Sequence, residues 1–201
     1  MLKAAIKVGP ADHGRRMSLA DFDHAEVQEG YLYELGRGVI VVSDVPKKRH
    51  LFQVLSIRDQ LFEYKLAQPG GIQVVASGSE CKILVAGYES ERHPDLSVYK
   101  TLPPEGEEIW STWIPELVIE VVSPGSKSRD YQEKREEYLA FGVLEYWIFD
   151  AGKQEMLVLQ RVAGRWRERI VRPGEVYKTR LLPGLQFKCE LVFQAVKAAK
   201  K

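Results

Sequence analysis

The sequence predicts a mixed α/β fold: a central mixed sheet flanked by helices, with an added β-hairpin region. Three observations carry this expectation. Residues 115–122 and 146–150 are apolar runs that read as buried central strands. Residues 48–66 and 127–141 read as the two main helices, the first from the spacing of its apolar positions. Residues 155–162 and 165–171 read as a β-hairpin. Strands that precede and follow two main helices make a layered mixed sheet.

The elements follow in order. Residues 1–16 are expected to be a flexible arm and 196–201 a fraying basic tail, leaving 17–195 as a single domain. Ser18 caps a short helix over 18–26. Tyr31–Leu35 and Val39–Ser43 form a hairpin across Gly36-Arg37-Gly38. In 48–66, Leu51, Val54, Leu55, Leu61, Phe62 and Leu66 recur at helical spacing, and Pro69-Gly70-Gly71 stops the helix. Residues 72–76 and 81–86 read as strands, 90–93 as a loop. Pro94 then opens a short strand to Tyr99, because strand starts tolerate proline.

A Pro- and Glu-rich loop spans 103–108, and Trp110 and Trp113 are expected at an interface or at the mouth of a site. Ser123-Pro124-Gly125-Ser126 is a turn, with Ser126 or Ser128 as the cap of the helix 127–141 and Gly142 as its stop. Tyr146, Trp147 and Phe149 belong to the core strand 146–150. A last strand over 185–188 and a short helix over 189–197 complete the chain.

At 201 residues the chain is long enough for a substantial core. Its hydrophobic fraction of 45% and charged fraction of 28% are ordinary for a globular protein. A net charge of +1 leaves any attraction for a polyanion to local patches. The two cysteines, Cys81 and Cys189, form no C-x-x-C motif. The N-terminal stretch lacks the apolar core of a signal peptide, and no run approaches the roughly 20 apolar residues of a membrane span. The expectation is a cytoplasmic protein with no membrane partner.

Glu120 is the residue that asks for a function. Alternation places it on one strand face with Val118 and Val122. A carboxylate there is costly unless something compensates it. Either a nearby Arg or Lys does so, or a metal ion does. Asp95, at the head of the 94–99 strand, provides a second strand-borne acid. Two such acids suit a hard cation such as Mg²⁺ or Mn²⁺. On the following helix, Asp130, Lys134 and Tyr138 fall at i, i+4 and i+8 and form one stripe, from which Lys134 can reach Asp95 and Glu120. Charged residues at that spacing also commonly make a solvated face.

Pro94-Asp95 with Glu120 resembles the PD-(D/E)XK nuclease pattern, but Val122 stands where that pattern has lysine. The block Glu120-Val121-Val122-Ser123-Pro124, then Asp130, Lys134, Tyr138, Gly142-Val143, Glu145-Tyr146-Trp147 and Asp150, resembles the Uma-type family of restriction-endonuclease-like proteins. In that family the lysine has moved to the helix. Tyr31–Leu35 with Gly36 and Gly38, His50 at the start of the first long helix, and Leu182-Pro183-Gly184-Leu185 extend the likeness over roughly Leu19 to Phe193. One departure is Arg37-Gly38-Val39, where members commonly read Asp-Gly-Glu.

The resemblance implies a restriction-endonuclease-like fold and a metal-dependent endonuclease. Asp95, Glu120 and the Val121 carbonyl would hold Mg²⁺ or Mn²⁺, and Glu34 would hold a second ion or orient water. Lys134 would orient or deprotonate that water, or offset developing charge. Asp130 and Tyr138 would fix Lys134, although Asp130 also suits a helix-dipole role.

His50 is either a substrate contact or a surface group, and the same holds for His93. Lys47-Lys48-Arg49-His50 at a helix start can hold phosphate. Arg165, Arg167 and Arg169 share a strand face opposite Trp166 and either track a nucleic-acid backbone or form a solvated sheet face. The expected partner is nucleic acid, DNA first, with a homodimer as a further expectation. The competing reading is a non-catalytic nucleic-acid-binding or assembly protein that keeps the fold.

Overall fold

The computed structural model describes residues 6–106 and 108–198. The first five residues of the expected arm, the last three of the expected tail and Glu107 lie outside the described residues. In chain order the elements are β1 (Lys7–Val8), α1 (Leu19–Asp23), β2 (Glu26–Val27), β3 (Tyr31–Gly36), β4 (Val39–Asp44), α2 (Lys48–Ala67), β5 (Val74–Ala76), β6 (Ile83–Val85), β7 (Ser90–Arg92), β8 (Leu96–Tyr99) and β9 (Leu117–Val121). A π-helical turn, Arg129–Glu133, runs directly into α3 (Lys134–Phe141). Then come β10 (Glu145–Asp150), β11 (Glu155–Val162), β12 (Arg165–Val171), β13 (Val176–Tyr177), β14 (Phe187–Lys188) and α4 (Cys189–Ala198). No helix among the described residues is long and apolar enough to cross a membrane.

The central sheet has six strands in the order β12-β11-β10-β9-β8-β5. Only β9 and β10 run parallel, so the sheet is mixed. Both are covered on both faces, which is why they read as continuous apolar runs. On one face Leu117, Ile119, Val121, Trp147 and Phe149 pack with Ile57, Leu61 and Tyr64 of α2 and Val192 and Phe193 of α4. On the other, Val118, Tyr146 and Ile148 pack with Tyr138 of α3. Alternation along β9 therefore turns Glu120 toward α3. The β8–β9 register pairs Leu96 with Ile119, which places Asp95 across from Glu120. Antiparallel partners share a face.

A second, four-stranded sheet has the order β4-β3-β7-β6 and contains the expected hairpin. Arg37 and Gly38 both take positive φ, 53° and 73°, in its two-residue turn, as a type I′ connection requires.

Several sequence expectations are corrected. Residues 6–16 of the supposed arm are hydrogen-bonded to their neighbours. β1 pairs parallel with β2, Arg16 bridges Val39, and Val8 is buried with Phe22, Tyr33, Leu35 and Ile40. Two strand residues are too few to show a period. Residues 90–92, read as loop, are β7, whose Arg92 is fully buried. The 127–141 helix begins as a π turn, a feature that apolar spacing does not reveal. Neither serine caps it through the helix N–H groups in the expected way. The Ser126 hydroxyl accepts from the Ser123 amide at 2.9 Å and donates to Asp130 Oδ2 at 2.6 Å. Trp113 is not at a mouth or an interface; it is buried and stacks on Tyr99 at 3.7 Å between ring centroids. Cys81 and Cys189 are free and buried.

Gly36, in β3, has no Cβ for a steric reason. A Cβ there would stand 2.9 Å from both terminal nitrogens of Arg92. Gly36→Ala is expected to lower stability by about 1–3 kcal/mol, as overpacking does. In thermal unfolding this appears as about 2–4 °C per kcal/mol for a chain of this size. An unchanged melting temperature would contradict the packing of Arg92 against β3.

Candidate active site

The site is assembled from both sheets and one helix. β9 contributes Glu120, the segment before β8 contributes Asp95, β3 contributes Glu34, and the π turn with α3 contributes Asp130, Lys134 and Tyr138. The Lys134 ammonium is buried among three acids. It lies 2.8 Å from Glu120 Oε1, 3.2 Å from Glu34 Oε1 and 3.6 Å from Asp130 Oδ1. The Tyr138 hydroxyl donates to the same Glu120 Oε1 at 2.8 Å. Tyr138 therefore fixes Glu120 and not Lys134, a correction to the expected pairing.

Asp95 has a carboxylate gripped at both oxygens. Oδ2 accepts from the Val121 amide at 2.7 Å, and Oδ1 lies 2.8 Å from His50 Nε2. His50 reaches it from the first turn of α2 and is thus joined to the acid pair. Its Nδ1 is buried with no hydrogen-bond partner. Burial opposes a charge on His50, but the hydrogen bond and charge of Asp95 prevail and raise its pKa.

Asp130 lies in the first turn of the π segment, where the helix-dipole reading expects it, and is buried. Its Oδ1 has no hydrogen-bond partner, and burial raises its pKa against the opposing effects of Lys134 and Ser126. The π turn is held from the sheet side, where the Tyr146 hydroxyl donates to the Asp130 carbonyl at 3.0 Å.

The strand acids Glu120 and Glu34 shift in opposite directions. Glu120 is pushed up to about 8 by burial and by the charges of Asp95, Asp130 and Glu34, despite Lys134. Burial would also raise Glu34, but Lys134, Arg92 and the His93 amide bring it down to about 2. Lys134 itself is held charged: burial disfavours the ammonium, and Glu120, Glu34 and Asp130 outweigh that.

Sequence reasoning missed Arg92, Glu137 and Glu133. The Arg92 guanidinium donates through Nε to Glu137 Oε2 at 2.7 Å and through Nη2 to Glu137 Oε1 at 3.0 Å and Glu133 Oε2 at 3.1 Å. Its Nη1 reaches Glu34 Oε2 at 3.4 Å. The available signal was the spacing of Glu133 and Glu137, one residue out of step with Lys134 and Tyr138. His93 is occupied by protein partners: its ring lies 3.0 Å from Glu91 Oε1 and 3.1 Å from the Cys81 carbonyl.

The arginine stripe does not join the site. Trp166 packs on the α3 side and donates to the Arg135 carbonyl at 2.7 Å. Arg165, Arg167 and Arg169 therefore face the opposite side of the sheet, on edge strand β12, three strands from β9. Arg167 bonds Gln160 at 3.1 Å, and Arg169 lies over the Tyr177 ring at 5.6 Å.

A divalent cation was tested against the donor set. Among the described residues no three His, Cys, Asp or Glu side chains are grouped to hold a metal ion. The fit rests instead on two facing carboxylates, Asp95 and Glu120, with hard oxygen donors. Magnesium commonly takes one or two carboxylates and keeps water and phosphate for its other positions. The raised Glu120, and an Asp130 oxygen that has the Lys134 charge at 3.6 Å but no hydrogen bond, mark a cluster with more negative charge than Lys134 offsets.

The acid cluster makes stability pH-dependent, with a definite sign. Between the ordinary carboxyl range and about 8, folded Glu120 keeps a proton that the unfolded chain releases, so its contribution falls as pH rises. Glu34 acts oppositely, adding stability above the ordinary range that is lost as pH falls toward about 2. From about pH 5 to about pH 8 without added metal, the parent is expected to lose melting temperature relative to Glu120→Gln. Parallel profiles for the two proteins would contradict the raised carboxyl.

Residues 19–191 match the Uma2 family, described as "Putative restriction endonuclease". Among solved structures, a "putative nuclease belonging to DUF820" from Anabaena variabilis aligns with a TM-score of 0.71 over 90% of this chain and 99% of that one. Its sequence identity is 16%, so the likeness establishes the fold. No curated protein matches the chain. The mixed sheet with its flanking helices is thus a nuclease-like fold, and the chain belongs to the Uma2 family of restriction-endonuclease-like proteins.

Proposed function

We propose that this chain is a divalent-metal-dependent endonuclease that hydrolyses phosphodiester bonds in DNA. The observation that carries the reading is the buried Lys134 ammonium between Glu120 and Glu34, on the face where Asp95 stands across from Glu120. Burying this many charges for stability alone is poorly rewarded. A site that must neutralise a phosphate undergoing attack needs such an arrangement.

Asp95 and Glu120 would hold Mg²⁺ or Mn²⁺, with the Val121 carbonyl as a further ligand. The ion supplies Lewis-acid stabilisation of phosphate charge and lowers the pKa of water. Because Asp95 is already oriented by the Val121 amide and His50, little side-chain freedom is lost on binding. Glu120 gives up its proton on taking a cation, which couples binding to pH. Lys134, held charged, donates a hydrogen bond to the attacking water and offsets charge on the phosphate; it does not serve as a base. Glu34, ionised and next to Lys134, orients the ammonium. His50 orients Asp95 through Nε2, and its buried Nδ1 is closed to substrate in this arrangement.

Cleavage of plasmid and linear DNA in Mn²⁺ and Mg²⁺ tests the reading. The expected result is cleavage that stops in chelator and is lost in Asp95→Ala and Glu120→Ala. Lys134→Met should fold, bind DNA and cut about 10²-fold or more slowly. Binding should weaken steeply with salt as phosphate contacts release counterions. Salt-sensitive binding with no acid-dependent cleavage of DNA or RNA would instead establish a non-catalytic nucleic-acid-binding protein.

A further inference from the structure

Lys134 cannot hold its own position. Its four-carbon stem is flexible, and two of the three acids it touches belong to different sheets: Glu120 to the six-stranded sheet and Glu34 to the four-stranded one. Something must fix the distance between those sheets.

Arg92 of β7 ties the four-stranded sheet to α3, which packs on the six-stranded sheet through Tyr138. It is fully buried, as is Glu137, its bidentate partner on α3. Glu137 lies three residues beyond Lys134, so both project toward the four-stranded sheet from adjacent positions on one helix. Arg92 and His93 also hold both oxygens of Glu34: Nη1 of Arg92 reaches Oε2 at 3.4 Å, and the His93 amide reaches Oε1 at 3.1 Å. That same Oε1 faces the Lys134 ammonium. The chain of opposite charges therefore runs Glu120, Lys134, Glu34, Arg92, Glu137. It ends at Arg37, in the β3–β4 turn, which reaches Glu137 at 3.4 Å and Glu136 at 2.6 Å.

We infer that Arg92 and Glu137 are positioning residues, which keep the Lys134 ammonium against Glu120 by locking Glu34 and α3 to one another across the two sheets. The inference rests on the reading that Lys134 acts in the site. Three features favour positioning over mere stability. Apolar residues of similar volume commonly replace a buried ion pair at no loss of stability, so stability does not require these charges. The guanidinium's planar fork fixes direction as well as distance. Gly36 leaves room for that fork, since a Cβ there would stand 2.9 Å from both of its terminal nitrogens.

The test is the double variant Arg92→Met/Glu137→Met in the full chain, with Arg92→Lys as a second variant. Removing both charges avoids leaving one buried and unpaired. Two readouts are taken. The first is steady-state DNA cleavage. The double variant should keep the parent's KM and melt close to it, with kcat lower by about 10- to 100-fold, the scale of a misplaced catalytic group. The second needs no activity: the rate at which an amine-acylating reagent modifies Lys134, followed by mass spectrometry. Release from Glu34 should make that rate severalfold faster than in the parent. Arg92→Lys keeps the charge and loses the fork, so it should show the same two changes if the double variant does not fold.

A folded variant with the parent's kcat and the parent's Lys134 labelling rate would overturn the positioning role. If the parent cuts no nucleic acid, the nuclease reading fails separately. Labelling then still decides: faster modification upholds the positioning of Lys134, and unchanged modification overturns it.

Discussion

The rest of the site depends on one buried pair, Lys134 with Glu120. Each charge is unfavourable alone in a packed interior, and each makes the other tolerable. Yet the pair is not balanced. Glu34 and Asp130 crowd the same ammonium, Asp95 adds its charge beside Glu120, and Glu120 holds its proton up to about 8. On the proposed reading, this excess negative charge around Asp95 and Glu120 would suit an arriving cation, and Lys134 would offset the charge of a phosphate.

Architecture explains how the pair is reached. β9 is apolar on both faces because helices cover both, and only its alternation turns Glu120 to the α3 side. The antiparallel register with β8 then delivers Asp95 opposite. The π turn sets Asp130 and Lys134 at the start of α3, held from below by the Tyr146 hydroxyl. The four-stranded sheet brings Glu34 from the far side, so the hairpin region is part of the site and not an appendage.

Much of this was legible in the sequence, for identifiable reasons. Glu120 stood out because a charge in an apolar run breaks the pattern, and Asp95 because it heads a neighbouring strand. Helical spacing puts Lys134 on one stripe with Asp130 and Tyr138, and the resemblance to the Uma-type family singles it out from a solvated face. Arg92 was not found, because three-residue β7 is too short to show alternation and reads as loop. Glu137 was hidden among charged helix residues that spacing alone assigns to solvent. The π turn left no trace in apolar periodicity, and the role of Tyr138 depended on a hydroxyl direction that sequence does not encode. The face of the arginine stripe was legible from its alternation with Trp166, and strand order sets that face away from the acids.

We propose that Asp95 and Glu120 form one cation site beside a fixed Lys134. Anomalous diffraction from crystals soaked in Mn²⁺ tests it most directly. The predicted result is a manganese peak between the two carboxylates, with metal–oxygen distances of about 2.0–2.6 Å and Lys134 still bonded to Glu120. A manganese peak absent from that position, or Lys134 swung out to solvent, would contradict it.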